Sequence, residues 1–382
     1  MNAIGPDETI LTNARIVLAD QVIDGAVAMA GGVITDIGPS SARGMDLGGD
    51  YLIPGLVELH TDHLETHYAP RPKVRWHPVA AVQAHDAQIA ASGITTVFDA
   101  IRVGSDEHAD MGAAELRILS DAVTAGVEAG RLRAEHFIHL RCEVSAPDCL
   151  DDFQAIMDHP LVRLASLMDH APGQRQFANP DAYKVYYQGK LKMSDAALAE
   201  FIARRSAESD TYSDRHRGAL AELSHARGIA LASHDDATRG HVEDAKILGI
   251  RIAEFPTTME AAQASRDAGM SILMGGPNVV RGGSHSGNVS ARDLAAAGLL
   301  DILSSDYIPF SMLQSAFCLV DTVPGISVPQ AISFVTRRPA DAAGLTDRGE
   351  IALGKRADLV HLRLEDGVPI VQTVWRQGRR VI

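Results

Sequence analysis

Between residues 52 and 321 the chain alternates short apolar, β-branched runs with longer stretches of helical period, eight times over. The runs are 52–60, ITTVFDA (94–100), HFIHLRCEV (136–144), VRLASLMDH (162–170), GIALASHD (228–235), IRIAEFP (250–256), SILMGG (271–276) and DILSSD (301–306). Helical stretches fall between them, including Val79–Ala91, Ala113–Gly130 and Ile308–Asp321, and a charged helical insertion covers 181–227. Repeated strand–helix alternation predicts an α/β fold with a parallel sheet covered by helices, and eight strands close a (β/α)8 TIM barrel. An open, doubly wound sheet fits less well, because no Gly-rich phosphate turn follows an early strand.

The two ends of the chain read differently. Residues 9–50 and 350–382 are alternating apolar runs punctuated by Asp24-Gly25, Gly31-Gly32, Gly354, Asp366-Gly367 and Gly378, a pattern of strands and tight turns. Neither end has enough apolar surface to pair with itself, so residues 1–52 and 349–382 are expected to form one β-sandwich beside a barrel of residues 53–348. Ile16, Val27, Ile34, Leu359 and Val374 are its expected core. The bulk composition suits this picture, with 46% hydrophobic and 22% charged residues and no apolar run long enough to span a bilayer. Three scattered cysteines, Cys142, Cys149 and Cys318, exclude a disulfide framework, and no signal peptide is visible, so a cytoplasmic location is expected. A formal charge of −14 argues against nucleic-acid binding and makes any crowd of arginines informative.

Ligand-type residues stand at nearly every strand end: His60 and Asp62, Asp99, Glu143, His170, His234, Glu254 and Asp306. In a barrel those ends converge on one mouth. Each histidine alone would read as a hydrogen-bonded core residue, and YLIPGLVELHTDHLETH (51–67) alone as a strand followed by a polar turn. Jointly they read as a metal site. Imidazoles with carboxylates suit a divalent transition metal, zinc first, with manganese or iron as alternatives, and a bridging carboxylate would hold two ions about 3.5–4 Å apart.

PGLVELHTD, His170, His234, the SSD ending in Asp306, and RRPADAAGLTDRGEIALGKRADLV resemble the amidohydrolase superfamily over nearly the whole chain. HTDHLETH with APRPKVRW, AHDAQIAASGITTVFDA and PNVVRGGSHSGN resemble its phosphonate-degradation branch. The resemblance implies that His60 and Asp62 hold one metal, Glu143 bridges, His170 and His234 hold a second, and Asp306 handles the proton of the attacking water. It also implies hydrolysis of a 5-triphosphate on a ribose phosphonate with release of pyrophosphate. The superfamily's usual His-x-His is His60-Thr61-Asp62 here, and His63 stands where the branch has Asn.

The charged residues point to phosphate as well. The strand-end loops carry Arg71 with Lys73 and Arg75, then Arg102, Arg141, Arg175, Lys184, Arg239 and Arg281, with Arg337 further on. Any one of these could be a solvated surface charge. Arg281 is the least ordinary, because it lies in a stretch (275–288) with five glycines, Ser284 and His285 after the seventh strand, where TIM barrels bind phosphate. The expected partner is thus a small anionic substrate, with no nucleic acid and no membrane, and a homo-oligomer is left open. A cyclic-amide or deaminase-type amidohydrolase is the competing enzyme class, and an inactive barrel scaffold the non-enzymatic one. The arginine load and the full ligand set weigh against both.

Overall fold

A computed structural model describes residues 8–105, 112–175, 194–284 and 287–382. The N-terminal strands are β1 (Thr9–Val17), β2 (Val22–Ala30), β3 (Val33–Gly38), β4 (Met45–Asp46) and β5 (Tyr51–Pro54). Eight more follow: β6 (Leu56–Thr61), β7 (Ile94–Val103), β8 (Glu135–Glu143), β9 (Val162–Met168), β10 (Ala230–His234), β11 (Ile252–Glu254), β12 (Ser271–Gly275) and β13 (Ile302–Ser304). The chain ends in β14 (Leu359–Glu365), β15 (Val368–Arg376) and β16 (Arg379–Arg380).

β6 to β13 form one sheet in sequence order, and every pair is parallel. Thr61 and Asp306 bridge its two edges in parallel, with Asp306 N donating to His60 O at 3.0 Å and Asp62 N to Asp306 O at 3.1 Å, so the sheet closes into a barrel. All eight expected strands are present. Val57, Leu59, Phe98, Leu164, Ala232, Ile252, Leu273 and Ile302 fill the barrel's interior as a cluster distinct from the larger core under the helices. Several helices begin at hydroxyl caps: Ser194 opens Asp195–Arg227, Thr238 opens Arg239–Ile247 and Thr258 opens Met259–Asp267, each accepting from an N–H in the first turn. No described helix is long and apolar enough to cross a membrane.

The strands of both termini form a second, eight-stranded sheet in the order β16-β15-β14-β5-β1-β2-β3, with β4 added to β1. It curls around its own core, which contains Ile16, Val27, Ile34 and Leu359 as expected, together with Leu11, Leu52 and Trp375. Val374 corrects the expectation, because it packs into the large core on the barrel side. Two local readings also change. The first expected strand is two strands: β5 belongs to the terminal sheet and β6 to the barrel, and Gly55 lies between them. A side chain at Gly55 would fall within 3.0 Å of Thr95, so only glycine lets the chain cross there. Asp24-Gly25 lies inside β2 rather than at a turn, since Leu18 N bonds Gln21 O where β1 reverses. Gly25 instead leaves room for the carbonyl of Gly38 on β3.

One ionic node joins the two sheets. Glu135, at the start of β8, accepts from Arg348 and, at 2.5 Å, from Arg356, and Arg356 also pairs with Asp358 at 2.9 Å. Both arginines are buried. Glu135→Ala leaves two buried guanidinium groups without their shared acceptor. It is expected to destabilise the protein by about 2–3 kcal/mol, the lower part of the range for a broken buried pair because Glu135 is partly exposed. A denaturant midpoint equal to that of the unmodified protein would show that the node carries no stability.

Candidate metal centre at the strand ends

Two donor groups meet at the carboxyl ends of the barrel strands. His60 arrives near the end of β6, whose pairing with β7 is interrupted by register shifts. Asp62 follows at the N-cap of the short helix His63–Tyr68, and Asp306 lies two residues past β13. These three each offer a donor atom within 4.8 Å of the others. In the second group, His234 ends β10, Asp235 follows it, and His170 lies two residues past β9, again within 4.8 Å of one another. His234 Nδ1 is 2.9 Å from Asp235 Oδ2, and His170 Nε2 is 3.7 Å from the same oxygen. The His60 and His234 rings, 5.7 Å apart, link the two groups.

Below them runs a buried chain of polar contacts. His60 Nδ1 is 3.0 Å from Glu254 Oε1 at the end of β11. Glu254 Oε2 accepts from Ser166 Oγ at 2.5 Å, and Ser166 Oγ is 2.5 Å from His139 Nε2. His139 Nδ1 is 2.8 Å from Leu59 O, and burial pushes the His139 imidazolium down to about 3. This arrangement fixes the tautomer and orientation of rings that face the mouth.

The backbone is forced at three strand ends. Asp235, Phe255 and Asp306 follow β10, β11 and β13 with φ of 57°, 52° and 58°. Left-handed residues other than glycine cost about 1 kcal/mol each, and here they turn side chains towards the mouth. The Phe255 ring meets His60 and His234 edge-on, with centroids 5.1 and 5.2 Å away.

The donor set fits a divalent cation. It combines imidazoles with carboxylates, and Asp62 Oδ1 is buried without a partner. Burial, and then the charge of Asp62, push the Asp306 carboxyl up to about 6, so the two carboxylates crowd one another.

Glu143, expected to bridge, is placed elsewhere. Its Oε2 is 2.6 Å from His170 Nδ1, while its Oε1 accepts from His170 N at 3.0 Å and from Ser145 Oγ at 2.6 Å. Arg205 Nη2 lies 3.5 Å away. Both oxygens are engaged, and Glu143 is in none of the donor groups among the described residues. It stands behind His170, not between the groups. Asp235, Ser166 and His139 were missed from sequence. Only Asp235, in SHDD directly after His234, carried a local signal.

The expected phosphate ligands divide. Arg141 Nη1 donates to Asp62 Oδ2 at 2.7 Å, and Arg102 N donates to Glu65 Oε1 at 3.2 Å. Burial raises the Glu65 carboxyl, while the Arg141 and Arg102 charges act against that rise, so both guanidinium groups border this side of the mouth. Arg71 is exposed in the segment after the first short helix. The stretch after β12 is not all loop, because Gly276–Arg281 is a helix that leaves Arg281 exposed at its last position and Ser284 half-buried beyond it. Arg175 is a correction: it is buried, bonded to Asp236 and, at 3.2 Å, to His234 O, which ties the loop after β9 to the end of β10. Arg239 is another, exposed on the outer helices and 3.9 Å from Asp267. Lys184 and His285 lie outside the described residues.

The model of the amidohydrolase family matches residues 167–382. Among curated proteins, the alpha-D-ribose 1-methylphosphonate 5-triphosphate diphosphatase of Escherichia coli K12 is 47% identical over 376 residues, covering 97% of this chain and 100% of that protein. An imidazolonepropionase of Streptomyces griseus is 27% identical over 381 residues, covering 90% of this chain and 87% of that protein. Among solved structures, 5-methylcytosine deaminase from Klebsiella pneumoniae superimposes with a TM-score of 0.67 at 17% identity, with 98% of each chain covered. That likeness concerns the fold.

Proposed function

The chain belongs to the amidohydrolase family, and from that membership we propose that it hydrolyses alpha-D-ribose 1-methylphosphonate 5-triphosphate to the 5-phosphate and pyrophosphate. The observation that carries this reading is the 47% identity with the Escherichia coli diphosphatase, spread over 97% of this chain. The arginines bordering Asp62 and Glu65 support it, because an acidic chain that takes a polyanion needs local cations at its mouth.

The family generally uses divalent metals. We assign the metal-holding role to His60, Asp62, Asp306, His170, His234 and Asp235, for one or two ions, with zinc first and manganese or iron suited to the same donors. When bound, the metal supplies Lewis-acid polarisation and charge neutralisation at the reacting phosphoryl group. Asp306, at the strand end beside His60 and Asp62, takes the proton of the attacking water. Arg141 exchanges part of its pairing with Asp62 for phosphate oxygens, and the charge of Arg102 beside Glu65 adds to the attraction. Glu143 keeps the His170 ring in orientation through its Nδ1. Arg281, exposed at the end of its helix, grips the departing pyrophosphate end.

The test is to supply metal-loaded protein with the triphosphate and follow products by phosphorus NMR. Pyrophosphate with the ribose 5-phosphate is the expected result. Orthophosphate alone, or ring opening of a cyclic amide without reaction of the triphosphate, would overturn the reading. Charge-assisted hydrogen bonds contribute about 1.5–3 kcal/mol, so Arg281→Ala should lower kcat/KM by roughly 10- to 150-fold with metal content unchanged. Unchanged kcat/KM would remove Arg281 from the substrate.

A further inference from the structure

A second histidine cluster shares no residue with the groups at the strand ends. His63 and His67 occupy adjacent turns of the short helix after β6, and His85 faces them from helix Pro78–Ala91. Their ring centroids are 4.7 Å (His63 to His67), 5.7 Å (His63 to His85) and 6.0 Å (His67 to His85) apart. Each offers a ring nitrogen within 4.8 Å of those of the other two. His63 Nδ1, His67 Nε2 and His85 Nδ1 are all buried and have no hydrogen-bond partner. One such orphan would be ordinary packing. Three on facing rings leave their lone pairs or N–H groups uncompensated together, which folded proteins avoid.

The support behind His85 points the same way. His85 Nε2 is 2.7 Å from Asp99 Oδ1 on β7, and the other oxygen of Asp99 is 2.7 Å from His136 Nδ1 on β8. His136 Nε2 in turn is 3.3 Å from Asp86, whose oxygens also accept from the N–H groups of Arg133 and Ala134. Asp99, fully buried, thus holds the proton of His85 on Nε2 and presents Nδ1 as a lone pair to His63 and His67. A carboxylate behind an imidazole is how proteins orient a histidine ligand. A cluster serving only to pack the core would have no use for this polarity.

We propose that His63, His67 and His85 form a second metal site, separate from the centre at the strand ends, for a borderline divalent ion such as zinc. Three neutral imidazoles with a fourth position open to water suit that ion. Donor atoms around a tetrahedral ion at about 2.0–2.1 Å stand about 3.3 Å apart, so the rings close on it by roughly 1.5 Å at most. The ion joins the first two helices of the barrel layer, which flank residues 69–77 and therefore Arg71, Lys73 and Arg75.

The test uses the full-length protein saturated with zinc. Anomalous diffraction at the zinc edge is expected to show a peak among the three rings in addition to any at the strand ends, and His67→Gln and His63→Asn are each expected to bind one equivalent less zinc. Melting of each variant by circular dichroism shows whether it is folded, and the diffraction arm needs no variant. Absence of a peak among the rings, or an unchanged zinc count in a folded variant, overturns the proposal. Neither outcome depends on the substrate assignment, so failure of the triphosphate assay leaves this test intact.

Discussion

Asp306→Asn is expected to lower kcat for pyrophosphate release by about 10³-fold, within the range contributed by a positioned general acid or base. Asparagine tolerates the left-handed backbone at this position, φ 58°, at least as well as aspartate, so the loop past β13 keeps its course. The amide also keeps one oxygen directed at His60 and Asp62. What it loses is the capacity to take a proton. Melting temperature and metal content measured beside kcat separate the alternatives. Unchanged metal with lost turnover supports the proton role, whereas joint loss of both would make Asp306 a ligand first. Full turnover would exclude it from the chemistry.

Removal of residues 350–382 is expected to leave no soluble, monodisperse protein. The cut deletes β14, β15 and β16, and so exposes the edge of β5, where Pro54, Ile53, Leu52 and Tyr51 pair with Leu359 to Leu362. It also removes Leu359 and Trp375 from the sandwich core, and Val360, Leu362 and Val374 from the large core. Burying a large apolar side chain stabilises by about 1.5–3 kcal/mol, so five such losses match or exceed the stability of a typical domain, about 5–15 kcal/mol. The unpaired β5 edge then offers a template for aggregation. Gel filtration of the truncated chain checks this. A single folded peak would show that the N-terminal strands hold their own core.

The barrel was legible because each strand announces itself locally, by apolar runs spaced by helical stretches. Pro54-Gly55 visibly breaks the apolar run from Tyr51 to Leu59, but nothing local shows that its two halves join different sheets, and only the closeness of Thr95, from a different strand, explains the glycine. Among site residues, His60, Asp62 and Asp306 were readable from their places at strand ends, and His170 with His234 likewise. The partner of each was not. Glu143 looked free to bridge because nothing local shows that His170, 27 positions on, takes up both its oxygens. Arg175 looked like a phosphate ligand because its pairing with Asp236 spans 61 positions and comes into being only when the strands align. The helix after β12 had a sequence signal that glycine content obscured: Pro277 stands in its first turn, where proline's missing N–H costs nothing.

The closure of the barrel has a consequence for how this protein loses its function. Asp306 and Asp62, both in the candidate site, are also the residues whose backbone groups sew β13 to β6. The seam cannot part by even one hydrogen bond without drawing the proposed base away from His60. Partial opening of the sheet elsewhere leaves the donor groups where they are, whereas opening at this edge disperses them. Slow amide exchange at Asp62 and Asp306 is therefore a clock for the intact centre. Heat inactivation should follow the opening of this one join rather than the melting of the outer helices.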